Sequence, residues 1–122
     1  VKYNSSGSKQ WIKQFGTTVN DQAYAVSTDS SGNVYVAGST KGSFSGFTNG
    51  GSYSCGSENC LDFFVIKYSS DGTAIWTQQI GTDKEDLGES VFIDSSSNVY
   101  VAVTSNANFD NKTNTGNDDV FV

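Results

Sequence analysis

The chain has 122 residues, 13 acidic against 7 basic, and a formal net charge of −6, with no His, Arg, Met or Pro. That balance argues against nucleic acid as a partner, because phosphate recognition needs a basic stripe. No run approaches the roughly 20 apolar residues of a membrane-spanning helix, and no basic and then apolar leader opens the chain. Only 35% of the residues are hydrophobic, little for a domain that closes a core unaided, yet aromatic and β-branched residues come in short alternating runs that predict strands rather than disorder.

Taken in chain order, residues 1–17 (VKYNSSGSKQWIKQFGT) open with a short strand and a tight turn, followed by a second strand bearing Trp11. A strand with Tyr24, Val26 and Thr28 in alternation follows. The turn DSSGN over 29–33 has Gly32 and Asn33, both residue types able to take positive φ in a tight hairpin. NVYVAGST over 33–40 reads as the next strand. A long Gly/Ser/Asn-rich loop over 41–60 leads to DFFVIKY (62–68), the turn SSDG (69–72) and AIWTQQIG (74–81). The acidic loop TDKED (82–86) then introduces the same order of elements again.

The recurrence is an internal repeat. Residues 1–17 align with 66–82 and residues 21–37 with 86–102 at one offset of 65, from Val1 to Ile66, without a gap. The offset then falls to 57, because Asp62–Val65 aligns with Asp119–Val122. The first copy carries the longer loop. Four antiparallel strands recurring at such a period predict an all-β fold of two tandem four-stranded β-propeller blades, 1–65 and 66–122, within a larger ring. A continuous sandwich is the alternative, and nothing in it requires every strand to recur at one long period. The period cuts the DFFVIKY strand in the middle, and two blades leave two faces uncovered. We therefore expect a mature or excised piece of a longer array, or one part of a ring shared by several copies.

In a blade of this kind the first strand, A, lies nearest the axis and the fourth, D, outermost. Connections B–C and D–A then leave one face, and turns A–B and C–D the other. The second face has only minimal turns. The first has the long loops 41–60 and 106–118 and the acidic 82–86, and so holds the candidate chemistry. Phe44, Phe47 and Tyr53 are candidate contacts for a glycan or protein. Phe44 aligns with Phe109, which favours both as small satellite cores beneath their loops. Asp83, Glu85 and Asp86 offer oxygens for Ca2+, but their spacing matches no EF-hand or repeat-in-toxin loop, and no cofactor is the preferred reading. Asp21 and Asp86 align, which fits a repeated structural task at a loop corner. Asp29, Asp94, Asn33 and Asn98 read as turn residues, and Trp11 and Trp76 as packing between blades. Asn4 (NSS) and Asn111 (NKT) match the glycosylation sequon.

Cys55 and Cys60 are a poor zinc site without His or further Cys. A disulfide pinning the loop is the better reading and implies an oxidising compartment, two free thiols being the alternative. Catalysis finds little support. There is no His for general-base work and no Arg for a sialidase carboxylate site, and Glu58, Glu85 and Glu89, candidate acids for glycoside hydrolysis, do not recur between copies.

The pattern DSSGNVYVAG, followed by D-x-F-V-x-K-Y-x-x-x-G-x-x-x-W, resembles the bacterial SBBP-type β-propeller repeat and the wider NHL and PQQ-type blades. The resemblance covers essentially the whole chain twice. It departs at Ser97 for Gly32, at Val103 for Gly38, and at the Cys-bearing insertion. It implies an exported bacterial protein, secreted or on the cell surface. It also implies a non-catalytic module for binding or adhesion, or a structural repeat building a ring, stalk or filament. The partners expected are a surface protein or glycan and neighbouring blades or copies of itself.

Overall fold

The computed structural model describes residues 1–51, 55–56, 58–109 and 111–122. The described residues form strands and turns, with no helix long and apolar enough to cross a membrane. The strands are β1 (Lys2–Tyr3), β2 (Lys9–Trp11), β3 (Asp21–Thr28), β4 (Val34–Thr40), β5 (Asp62–Tyr68), β6 (Ala74–Ile80), β7 (Asp86–Ile93), β8 (Val99–Ser105) and β9 (Asp119–Phe121). They pair antiparallel with their sequence neighbours into sheets of two (β1–β2), four (β3–β6) and three strands (β7–β9).

β3 to β6 are strands A to D of one complete blade. β1–β2 is a C–D hairpin before it, and β7–β9 supplies strands A, B and the start of C after it. The sequence period, 1–65 and 66–122, is thus out of phase with the sheets, because residue 66 lies inside β5. β9 pairs with β8 as β5 pairs with β4: Val103↔Phe121 and Ser105↔Asp119 repeat Gly38↔Phe64 and Thr40↔Asp62. Even the irregularities recur, since a bulge falls between Ala23 and Ala25 and again between Gly88 and Ser90.

Alternation along the central strands explains how the sheets stack. In a strand, successive side chains point to opposite faces. Phe63 and Val65 of β5, with Tyr35 and Ala37 of β4, join Val91, Ile93 and Val103 in one core between the complete blade and β7–β9. Phe64, Ile66 and Tyr68, with Phe44, form a second core on the opposite face. Both faces of β5 are covered, so its sequence is a nearly unbroken apolar run. Trp11 and Phe15, carried by and just after β2, reach onto this second face. Trp11 lies 6.3 Å from Tyr68 and Phe15 4.3 Å from Phe44, centroid to centroid.

The tight A–B turns are built alike. Asp29 accepts from the N–H groups of Ser31 and Asn33, from Asn33 Nδ2 and from the Tyr35 hydroxyl. Asp94 accepts from Ser96, Asn98 and Tyr100 in the same four ways. The positive φ falls on Gly32 (76°) and on its counterpart Ser97 (65°), not on Asn33 as the turn composition also allowed. Asn33 is instead the partner that closes the turn onto Asp29.

Candidate functional site

Registers place the B–C and D–A connections together. Thr40 at the end of β4 faces both Asp21 at the start of β3 and Asp62 at the start of β5, and Ile80 at the end of β6 faces Phe63. One end of the blade therefore gathers 12–20, 81–85 and the described residues of 41–61 and 106–118.

An Asn organises each long loop. Asn49 donates from Nδ2 to the carbonyls of Cys60 (3.0 Å) and Thr40 (3.5 Å), and its N–H reaches Ser43 Oγ at 2.9 Å. Its side-chain oxygen accepts from Gly51 N at 3.0 Å. Asn114 repeats this with Ser105 O, Asn108 Oδ1 and Gly116 N at 3.1, 2.9 and 3.0 Å. Sequence reading passed over both, although they stand at the same offset of 65 that relates the rest of the copies. After this shared frame the loops diverge. Between Gly51 and Asp62 lie residues 52–61, whereas between Gly116 and Asp119 lie only 117–118.

The disulfide sits in that insertion. Cys55 and Cys60 are bonded, with an S–S distance of 2.09 Å, and no free cysteine remains. Cys60 is fully buried, and its Sγ lies 3.3 Å from Asp83 O. Leu61 N donates to Glu85 Oε2 at 3.0 Å, and Asp86 N donates to Leu61 O at 2.7 Å. Lys41 pairs with Glu58 across the loop. The insertion is thereby clasped to the acidic D–A connection.

This geometry locates each candidate residue. Phe44 is buried between β5 and the N-terminal hairpin, edge-on to Phe64 at 5.2 Å. Its counterpart Phe109 packs on Phe63 and Phe121 at 6.0 and 5.4 Å. Phe47 packs against the same core at the loop side and remains half-buried. Tyr53 lies outside the described residues. Asp83, Glu85 and Asp86 do not converge. Asp83 is exposed with its carbonyl toward Cys60, Glu85 accepts from Leu61, and Asp86 is fully buried. Asp86 Oδ2 takes the N–H and hydroxyl of Thr82, as Asp21 takes those of Thr17. Thr40 donates to Asp21 Oδ1 in the first copy, whereas the corresponding Asp86 Oδ1, with Ser105 in place of that Thr, has no partner in hydrogen-bond geometry among the described residues. Among the described residues, the group of three potential metal ligands with clustered donor atoms is Cys55, Cys60 and Glu85, two of which are spent in the disulfide. Glu89 is exposed on β7.

Two carboxyl groups at this end sit above the ordinary Asp range. Burial pushes Asp62 up, against donors from Gln79 and Gly50 and with Asp86 nearby adding to the rise. Burial likewise raises Asp86, opposed by Ser105 and Thr82. At the opposite end, the Asn33 side chain and other turn donors hold Asp29 low, and Asn98 does the same for Asp94. Each turn carboxylate is thus a saturated acceptor, while the loop end holds the groups whose charge is costly.

The model of the SBBP β-propeller repeat matches residues 10–45 and 75–110, together more than half of the chain and 65 residues apart. Each match runs from strand D through the D–A connection and strands A and B to the start of the B–C loop. No curated protein matches the chain. The family match, the antiparallel sheets and the repeated Asp-centred turns agree, and the chain belongs to the SBBP β-propeller repeat family.

Proposed function

We propose that the chain is a non-catalytic propeller module that binds a protein or glycan outside the cell through the face made by loops 41–61, 81–85 and 106–118. The observation that carries this reading is the asymmetry of the two blade ends. One end has only tight turns whose polar groups satisfy each other. The other carries a disulfide-braced insertion, found in one copy and fastened to the D–A connection. Bracing a loop before it binds lowers the entropy lost on association. Half-buried Phe47 and exposed Asp83 supply an apolar and an anionic contact beside it. A disulfide suits an oxidising compartment, which supports secretion or surface display.

The test is binding to an immobilised glycan array and to cell-surface proteins by cross-linking. A variant in which 52–61 is replaced by the short Asn-Asp connection of 117–118 serves as comparison. Binding by the native chain that disappears in the folded variant supports the reading. Binding that survives the replacement, or no binding by the native chain, rejects it.

A second reading is a structural unit of a ring or filament, supported by the recurrence of the strands and Asp-centred turns at one offset of 65.

A further inference from the structure

The disulfide holds two sulfurs beside a carboxylate that stands next to them only in the fold. Cys55, Cys60 and Glu85 each bring one donor atom, and the three atoms lie within 4.8 Å of one another. Two cysteines alone are short of ligands for a zinc-type site, which takes three or four. The D–A connection supplies the third.

Each of the three residues has an anchor that does not depend on the S–S bond. Cys60 N donates to Gly51 O at 2.9 Å, and its carbonyl accepts from Asn49 Nδ2 at 3.0 Å. A Cβ at Gly51 would stand 3.0 Å from Cys60 Sγ, so the glycine leaves the sulfur its place. Cys55 is bridged antiparallel to Glu58, whose carboxylate pairs with Lys41. Glu85 is held by Leu61 N through Oε2, and a carboxylate has more lone-pair sites than that one donor takes. Cys60 is buried, whereas Cys55 and Glu85 are half-buried, so a small reagent or ion reaches the group from their side.

We propose that, once the disulfide is reduced, Cys55, Cys60 and Glu85 bind one thiophilic divalent cation, so that a metal-held closure replaces the covalent one. Two thiolates and a carboxylate form a soft donor set, suited to Zn2+ or Cd2+ rather than to Ca2+ or Mg2+, which take oxygen ligands. With metal–sulfur bonds of about 2.3 Å and metal–oxygen bonds of about 2.0–2.2 Å, tetrahedral ligands stand about 3.5–3.8 Å apart. The carboxylate therefore closes by little more than about 1 Å, while Cys55 swings away from Cys60. Asp83 O, 3.3 Å from Cys60 Sγ, stands near that edge length for a fourth position. The reductant is a dithiol. It delivers two electrons and two protons, the Sγ–Sγ bond breaks into two thiols, and the dithiol leaves as its own disulfide. Coordination then breaks both S–H bonds, releases two protons to solvent and forms two metal–sulfur bonds. The inference is independent of the binding reading, which concerns the oxidised chain.

The test is a Cd2+ titration of the chain reduced by a dithiol and freed of it under argon, read by the ultraviolet charge-transfer band of cadmium thiolates. Circular dichroism compares the strand content of the reduced native chain and of Glu85→Gln, in which Gln retains an acceptor for Leu61 N–H. We expect one Cd2+ per reduced chain, two protons released per ion, no band from the oxidised chain, and at least tenfold weaker binding by Glu85→Gln. Binding by Glu85→Gln as tight as that of the native chain overturns the three-ligand site. A reduced native chain that binds no more tightly than the same chain unfolded in urea overturns it as well, and that comparison decides the matter where the variant does not fold.

Discussion

Leu61 donates its backbone N–H to Glu85 Oε2 at 3.0 Å, joining the residue after the disulfide to the connection that leads into the next blade. The carboxylate is occupied in holding the C-terminal end of the insertion, at Leu61. A local loop feature is thereby coupled to the seam between sheets.

Removing the clasp should show at both of its ends. Replacing Cys55 and Cys60 together by Ser opens a loop of about six residues and should cost about 2 kcal/mol. Glu85→Ala should cost about 1 kcal/mol by leaving the Leu61 N–H without its acceptor. Hydrogen exchange should detect faster opening of 81–86 in the double Ser variant, although neither cysteine lies in that segment.

Stability should have opposing limbs below and above the ordinary Asp value. Asp62 and Asp86 have folded values raised by burial above the ordinary 3.8. Their contribution is complete below that value and is lost as pH rises through the raised folded values. Asp29 and Asp94 are lowered, so their contribution is present above 3.8 and lost as pH falls through the depressed values. Chemical denaturation from about pH 3 to about pH 8 should therefore show a mildly acidic optimum. Asp86→Asn should flatten the upper limb, and Asp29→Asn together with Asp94→Asn the lower one.

The two described loop phenylalanines should separate. Phe44 is buried among Phe15, Phe64 and neighbouring residues, and its change to Ala should cost about 3–5 kcal/mol. Phe47 keeps part of its ring in water, and its change to Ala should cost about 1–2 kcal/mol. Urea midpoints distinguish them, and on the binding reading Phe47→Ala should lower partner affinity without unfolding the module.

Ser97 holds φ +65° where the first copy has Gly32 at +76°. A side chain in that region is crowded against its own backbone, whereas Gly is not. Ser97→Gly should raise stability by about 1 kcal/mol and Gly32→Ala should lower it by about 1 kcal/mol, read from thermal or urea unfolding.

Strand identities, the Asp-centred turns and the family were legible in the residues themselves. Alternation in DFFVIKY and the Asp29–Asn33 turn are local, set by side-chain period and backbone conformation within a few residues, and the offset of 65 exposed them twice. Asn49 and Asn114 were legible by that same offset, although only their bonds reveal what they do. Phe44 as a satellite core and Asp86 as a loop-corner acceptor were legible from their alignment with Phe109 and Asp21, but what covers them, and the fate of Glu85, were not. Phe44 is core because the N-terminal hairpin lays Phe15 over it, Glu85 is a clasp because residue 61 arrives beside it, and Asp86 is buried because the sheets meet there. A single strand cannot specify which strand ends converge or what covers a face. The sequence by itself determined the repeat, the strands and their turns; only the packing of blade on blade decided which loop residues are buried as structure and which stay exposed.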